Sequence, residues 1–306
     1  MNRSFPIAAA LCASLAGPAW SQPASHPPDA AAPAAAPQRP PIEARKVEGT
    51  DNVYIFRNGN NQAMFIVTSD GVIATDPVAY GKPQGGAAYV AEIRKVTDKP
   101  IKYLIYSHHH YDHSAGGQAF KDAGAKILAH KRAKERLAVL KDPATPLPDE
   151  TMDKKKVIKL GGTTLELLYL GLNHSDSMIV MRLPKEKLLF VVDFLPVASV
   201  PGRGMIDFYP LETEEAIKQV LKLDWERLIP GHPGPGDRLG TKQDAQDQLA
   251  FLQYASDTVK AAARDGKCYD PAEKELKLPK YESWPGYANN LPFVIRRYCT
   301  LWGRGT

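Results

Sequence analysis

Seven consecutive residues constrain this chain more than any other feature: Ser107, His108, His109, His110, Tyr111, Asp112 and His113. They follow an apolar run, 101–106, that reads as a β-strand. Within them stands His-x-His-x-Asp-His, four ligand-type side chains in six positions of a chain holding only eight histidines. Core packing gives no reason for imidazoles at that density, whereas a metal site does. In an extended turn His108 and His110 project the same way, because side chains alternate with period two. Asp112 and His113 fall beyond the bend and can face a second metal. Neutral imidazole and carboxylate suit Zn2+, and ligand type leaves Fe and Mn open.

The rest of the composition narrows the class. A chain of 306 residues, 43% hydrophobic and 24% charged, is globular and long enough for one large domain or two ordinary ones. No apolar run approaches the roughly 20 residues that span a bilayer, so an integral membrane protein is not expected. The +5 charge is spread among 34 acidic residues. The one dense basic run, 154–156, reads as a solvated loop, so neither a nucleic-acid nor a membrane partner is expected.

The N-terminus reads as an address. Arg3 precedes an apolar stretch at 6–17, and Ala19, Trp20 and Ser21 offer small residues at a cleavage site. Residues 1–21 thus read as a signal peptide and Gln22 as the mature start, giving a periplasmic or secreted protein. Cys12 lacks the small preceding residue of a lipoprotein signal. Residues 22–45 read as a disordered Ala/Pro-rich leader, and 46–306 as the folded body. Cleavage leaves Cys268 and Cys299, an even pair expected to form a disulfide in an oxidising compartment.

Along the body, strands are expected at 53–57, 63–68 and 72–75, with turn signals at 58–59 and 70–71. A helix follows at 86–97 and a helix–strand–helix passage at 116–141. Further strands are expected at 157–160, 164–169, 178–183 and 188–192. A helix at 213–222 and a strand ending at Pro230 complete the series. Thr241 and Asp244 form a capping-box pair opening a helix that reaches Arg264 and begins a helical C-terminal extension. The expected class is α+β, an αββα sandwich of two mixed sheets flanked by helices.

Three further candidates each follow a strand-like run: His174 after Gly171, Leu172 and Asn173; Asp193 after Phe190; and His232 within Pro230, Gly231 and Pro233. With His-x-His-x-Asp-His ahead of them in this order, residues 50–240 resemble the metallo-β-lactamase-fold superfamily. The resemblance implies that His108, His110 and His174 hold one metal. It implies Asp112, His113 and His232 on a second metal, with Asp193 bridging. It places Asp76, at the end of an early strand, behind these ligands. His109 and Tyr111 occupy the variable positions of the motif, and a place beside the ligands or on the pocket wall is expected for them. His130 reads as surface or structural, and His26 belongs to the leader.

Two metals roughly 3.5–4 Å apart lower the pKa of a bridging water to about 7. The expected protein is therefore a dinuclear zinc hydrolase using that hydroxide, with Asp112 and Asp193 as its catalytic carboxylates. No Ser or Cys nucleophile is required, in keeping with the lack of a G-x-S-x-G motif. The expected substrate is a small ester, lactone, thioester or amide. As the resemblance runs, zinc β-lactamases carry Cys or Ser near the position of Asp193, which counts against efficient β-lactam hydrolysis; that activity stands as the alternative. From another class stand an iron redox enzyme and a non-catalytic, metal-holding periplasmic accessory protein. The loop 194–210, directly after Asp193, is expected to overhang the metals. Its Arg203 reads as a solvated loop residue, with contact to a substrate anion as the alternative. Oligomeric state has no signature in the sequence.

Overall fold

The computed structural model describes residues 41–306. The expected signal peptide, and the expected leader up to residue 40, lie outside the described residues. The first sheet has seven strands in the spatial order of the chain. These are β1 (Ile42–Lys46), β2 (Val53–Asn58), β3 (Asn61–Val67), β4 (Val72–Thr75), β5 (Ile101–Ile105), β6 (Lys126–His130) and β7 (Glu150–Met152). Strands β1 to β4 pair antiparallel, and β4 to β7 pair parallel. The parallel half needs crossovers, and helices supply them. They are α1 (Gly85–Val96), α2 (Tyr111–Ser114), α3 (Gln118–Asp122) and α4 (Lys131–Leu140).

The second sheet runs in the order β12 (Arg227–Pro230), β11 (Leu188–Val191), β10 (Val180–Leu183), β9 (Thr163–Leu168) and β8 (Lys155–Leu160). Only β11 and β12 pair parallel. The helix α5 (Pro210–Lys222) makes that crossover, and α6 (Lys242–Arg264), α7 (Asp270–Glu275) and α8 (Tyr287–Arg304) follow.

Period-two alternation explains how the sheets stack. Val53 and Ile55 of β2, Met64 and Ile66 of β3 and Ile73 of β4 enter the core shared with Leu165, Leu167, Met181 and Phe190 of the second sheet. Phe56, Phe65 and Ala74, at the intervening positions, enter a smaller core with Tyr89 and Ile93 of α1 and Leu137 of α4. Both faces of the first sheet are thus buried. Two mixed sheets flanked by helices give the expected αββα architecture.

Two expectations change. The folded body begins earlier than residue 46, because 42–46 form β1 on the edge of the first sheet, paired to β2. The basic run is not a loop: Lys155 and Lys156 open β8, where they pair with Glu166 at 2.8 Å and Glu150 at 3.2 Å. The disulfide Cys268–Cys299 is present, with Cα atoms 5.3 Å apart, and ties α8 to the turn after α6.

Candidate metal centre

Five strand ends deliver the site. Asp76 follows β4, His108 follows β5, Asp193 follows β11, His232 follows β12, and His174 sits on the long loop after β9. Strands carry these residues to one rim, and backbone irregularity then aims them. Asp76 (φ 30°) and Asp193 (φ 62°) both adopt positive φ, a conformation Asp tolerates better than most residues. Gly231 has a spatial role. A Cβ there would lie 2.6 Å from Val192 Cγ1 and 3.1 Å from His113 Cε1.

All seven residues expected as ligands converge in two groups. His108, His110, His174 and Asp193 form one, and Asp112, His113, His232 and Asp193 form the other. Within each group the donor atoms all lie within 4.8 Å of one another. Asp193 belongs to both. Its Oδ2 lies 3.3 Å from His108 Nε2 and 3.2 Å from His174 Nε2, while its Oδ1 lies 2.9 Å from His232 Nε2 and 3.4 Å from His113 Nε2. Asp112 Oδ2 is 3.5 Å from His113 Nε2 and 3.9 Å from His232 Nε2.

Surrounding contacts fix the imidazole faces. Asp76 Oδ2 lies 3.3 Å from His113 Nδ1 while its Oδ1 accepts from the Ser107 amide at 2.6 Å. Ser107 Oγ meets His108 Nδ1 at 2.9 Å, and the Asn60 carbonyl meets His232 Nδ1 at 2.6 Å. Each contact holds one ring nitrogen and leaves the other facing the cluster, as metal-binding histidines require. His110 is turned the other way. Its Nδ1 faces His174 Nε2 at 2.9 Å, and its Nε2 faces Asp207 at 3.3 Å.

The burial of these groups also shapes their charge. Burial drives the His108 imidazole well below its ordinary pKa, with His110 adding to the effect. Burial alone would raise the Asp193 carboxyl, but His113 and His174 outweigh it and hold it well below the carboxylate range. Burial lowers the His174 imidazole too, so His108 and His174 offer neutral imidazole beside ionised carboxylate, the donor set of a divalent cation. At His113 and His232, burial is outweighed by Asp193, which raises both imidazoles. Buried His108 Nε2, facing the cluster, has no aligned hydrogen-bond partner among the described residues, an expensive arrangement that metal coordination relieves. The residues fit the group.

The variable positions of the motif part company. His109 donates to or accepts from Ser177 Oγ at 2.8 Å, beside the loop carrying His174, and burial lowers its imidazole to about 4. Tyr111 does not join the site; it stacks on Tyr80 at 5.7 Å and packs against the smaller core. His130 is buried, stacks on Tyr169 at 4.1 Å and accepts from the Arg132 amide as the N-cap of α4. It is structural. The Asn60 carbonyl, Asp207 and the Arg136–Asp176 pair, joined by two hydrogen bonds of 2.8 and 2.6 Å, were not legible as site features. None carries a local spacing signal.

A cavity of about 620 Å³ opens over the cluster. His110, Asp112, His174, Asp193 and His232 form one side, and residues of 195–205 form another. The loop after Asp193 thus lies where it was expected, against the site.

The family model of the metallo-beta-lactamase superfamily matches residues 57–232, more than half of the chain. The chain belongs to that superfamily. Among curated relatives, the 2,4-dinitroanisole O-demethylase subunit alpha of Nocardioides sp. (strain JS1661) is 26% identical over 63% of this chain. A metallo-beta-lactamase type 2 of Elizabethkingia meningoseptica is 29% identical over 50% of it. The chain spans only 58% and 61% of those relatives' lengths. Of solved structures, a metallo-beta-lactamase from Pontibacter korlensis aligns over 69% of this chain and 99% of its own, with a TM-score of 0.61 at 20% identity. A sec-alkylsulfatase from Pseudomonas sp. aligns over 85% of this chain and 50% of its own, with a TM-score of 0.69 at 17% identity. At these identities the likeness is one of fold.

Proposed function

We propose that the protein is an exported, dinuclear zinc-dependent hydrolase of a small ester, lactone, thioester or amide. The observation that carries this reading is Asp193, whose two carboxylate oxygens face two separate histidine groups. His108, His110 and His174 would hold one cation, Asp112, His113 and His232 the other, and Asp193 would belong to both. Two such cations supply Lewis acidity and an activated water at neutral pH.

The protein's own contribution is positional. Ser107, Asp76 and the Asn60 carbonyl lock the rings of His108, His113 and His232 so that no reorientation accompanies reaction. Asp112 lies at the cavity, 43% of its side chain exposed, and Asn61 Nδ2 donates to its Oδ2 at 3.4 Å. That placement suits a carboxylate that takes a proton at the reacting water and carries it to the leaving group. Leu195, Val200 and Met205 line the cavity and exclude water from the apolar part of a substrate. Membership of a superfamily whose relatives include beta-lactamases and an O-demethylase supports reaction at a small molecule.

Export rests on the signal-like N-terminus and on a disulfide suited to an oxidising compartment. N-terminal sequencing of periplasmic material should begin at Gln22. The catalytic reading is tested by a hydrolysis screen of the zinc-loaded protein across β-lactams, lactones, thioesters, phosphodiesters and alkyl sulfates, beside metal analysis. Two zinc per chain and turnover lost in His110→Ala are expected. Bound iron with a visible absorption band, or no turnover of any class, would overturn it.

A further inference from the structure

The two ligand groups are steadied from different directions. Contacts on His113, His232 and Asp112 come from Asp76, the Asn60 carbonyl and Asn61, all in or beside the first sheet. His110 and the loop of His174 are instead gripped by consecutive residues at the end of the loop after Asp193. Asp207 Oδ2 lies 3.3 Å from His110 Nε2, and the Tyr209 amide donates to the Asn173 carbonyl, next to His174, at 2.8 Å. Between those two residues, the Phe208 carbonyl accepts from Arg297 Nε of α8 at 2.6 Å.

Arg297 is half-buried and fixed by a second contact, its Nη1 donating to the Thr306 carbonyl at 2.7 Å. Other parts of the loop are fastened to the same helix. Asn290 Nδ2 donates to the Val200 carbonyl at 3.2 Å, and the Arg203 guanidinium carbon lies 5.8 Å from the Phe293 ring centroid, within cation–π range. A charged donor makes roughly twice as strong a hydrogen bond as a neutral one, so the Arg297 contact is the firmest of these hydrogen bonds. It also falls on the residue next to Asp207. Helix α8 lies outside residues 57–232, the part that matches the superfamily model.

We propose that Arg297 is a positioning residue of the first ligand group, anchoring segment 207–209 to α8 and thereby holding Asp207 against His110. It touches neither cation nor substrate. Without the anchor, water replaces the guanidinium at the Phe208 carbonyl, and Asp207 is free to leave His110 Nε2. The His110 ring then loses, on metal binding, rotational freedom that it has already lost in the parent. The second group, steadied from the first sheet, is spared. The inference rests on reading the cluster as a two-cation centre, and not on which bond is hydrolysed.

The test titrates Zn2+ into the full-length, metal-free protein against a chromophoric chelator that resolves two binding steps. Arg297→Met keeps the length of the side chain to Nε and removes its donors. It should weaken one step by about fivefold, less than the 10–100-fold typical of a direct ligand partner, and leave the other unchanged. The weakened step should be the one that Asp207→Ala weakens. Arg297→Gln, which places an amide nitrogen where Nε stands, should recover part of the loss. Arg296→Gln is the control, since Arg296 on the same helix donates to Glu273 of α7 at 2.6 and 2.5 Å; it should leave both steps as in the parent. In an Asp207→Ala background, Arg297→Met should add less than about twofold, a coupling that a general loss of helix stability does not produce. Should Arg297→Met not fold, Arg297→Lys, which keeps the charge but sets its donor beyond the Nε position, carries the same cycle. Equal weakening of both steps, no weakening of either, or full additivity with Asp207→Ala would overturn the proposal. A parent that takes up no Zn2+ would remove the metal-centre reading and the proposal together. The expected pattern without turnover of any substrate would leave Arg297's role standing and remove only the hydrolase reading.

Discussion

Asp207 sets a carboxylate oxygen 3.3 Å from Nε2 of His110, the imidazole whose Nδ1 faces His174. A residue of the loop following Asp193 thereby steadies a ring of the metal cluster and couples the cavity wall to the centre. Removing such a partner typically weakens metal binding by 10–100-fold. Asp207 is about half exposed, with 55% of its side chain accessible, so the lower end applies. Asp207→Ala should release bound metal to a competing chelator at about tenfold lower chelator concentration. Asp207→Asn, which keeps an acceptor for the Nε2 proton, should recover part of the loss.

Gly231→Ala tests the close packing under the centre. The added methyl would lie 2.6 Å from Val192 Cγ1 and 3.1 Å from His113 Cε1, and neither neighbour is the end of a long flexible chain. Overpacking of this kind costs about 1–3 kcal/mol. Relief requires His113 or the β11 end to move, and both bear on the cluster. The variant should therefore lose stability in a urea titration and, unlike a distant core mutant of equal cost, should also show lowered metal content.

Local pattern and distant contact explain what the sequence revealed and what it did not. The alternation of Val53 and Ile55 with Phe56 reports both faces of a strand within a few residues, and His108, His110, Asp112 and His113 are clustered in the chain itself. Those features need no knowledge of topology. The Asn60 carbonyl meets His232 across 172 residues, and no spacing rule announces such a contact. Asp207 likewise looks like any loop acid until the fold brings it to His110. Strand β1 escaped notice because it is a short edge strand of five residues, four half-buried and none fully buried, so its periodicity is faint. Lys155 and Lys156 read as loop because charge dominated the window, although Glu166 and Glu150 across β9 and β7 neutralise them. Tyr111 stands amid the ligand motif, yet it opens α2, and helical geometry turns its ring toward Tyr80 instead.

The disulfide makes a separate prediction about the C-terminal segment. Cys268 and Cys299 lie 31 residues apart, and a closed loop of that length stabilises by roughly 3–4 kcal/mol on the chain-entropy model. Cys299 lies on α8, the same helix that carries Asn290 and Arg297, whose hydrogen bonds hold the cavity loop. The double variant Cys268→Ser and Cys299→Ser should unfold at lower urea and with a steeper slope, because the unfolded chain, freed of its cross-link, exposes more surface. Limited proteolysis should cleave it first between α6 and α8, where the covalent tie has gone.

Acid sensitivity is predicted at the start of α6. Arg238 donates to both oxygens of Asp244 at 2.8 and 2.5 Å, and the Thr241 amide donates to Oδ2 at 2.8 Å. The Asp244 amide donates in return to Thr241 Oγ1 at 3.3 Å, completing the capping box. Burial alone would raise the Asp244 carboxyl, but Arg238 and Thr241 outweigh it and hold it below its ordinary value. A carboxyl depressed by folding stabilises the folded state at pH values above its unfolded pKa, near 3.9. That stabilisation fades as pH falls through the lower folded value. Asp244→Asn keeps the shape but removes the charge, and by analogy with lost helix caps should cost about 1 kcal/mol at neutral pH. Urea unfolding of parent and variant, repeated from pH 7 downward, should show a constant gap above about pH 5 that narrows below about pH 4. A gap independent of pH would mean that the Arg238 ion pair contributes nothing and that the cap works through neutral hydrogen bonds alone.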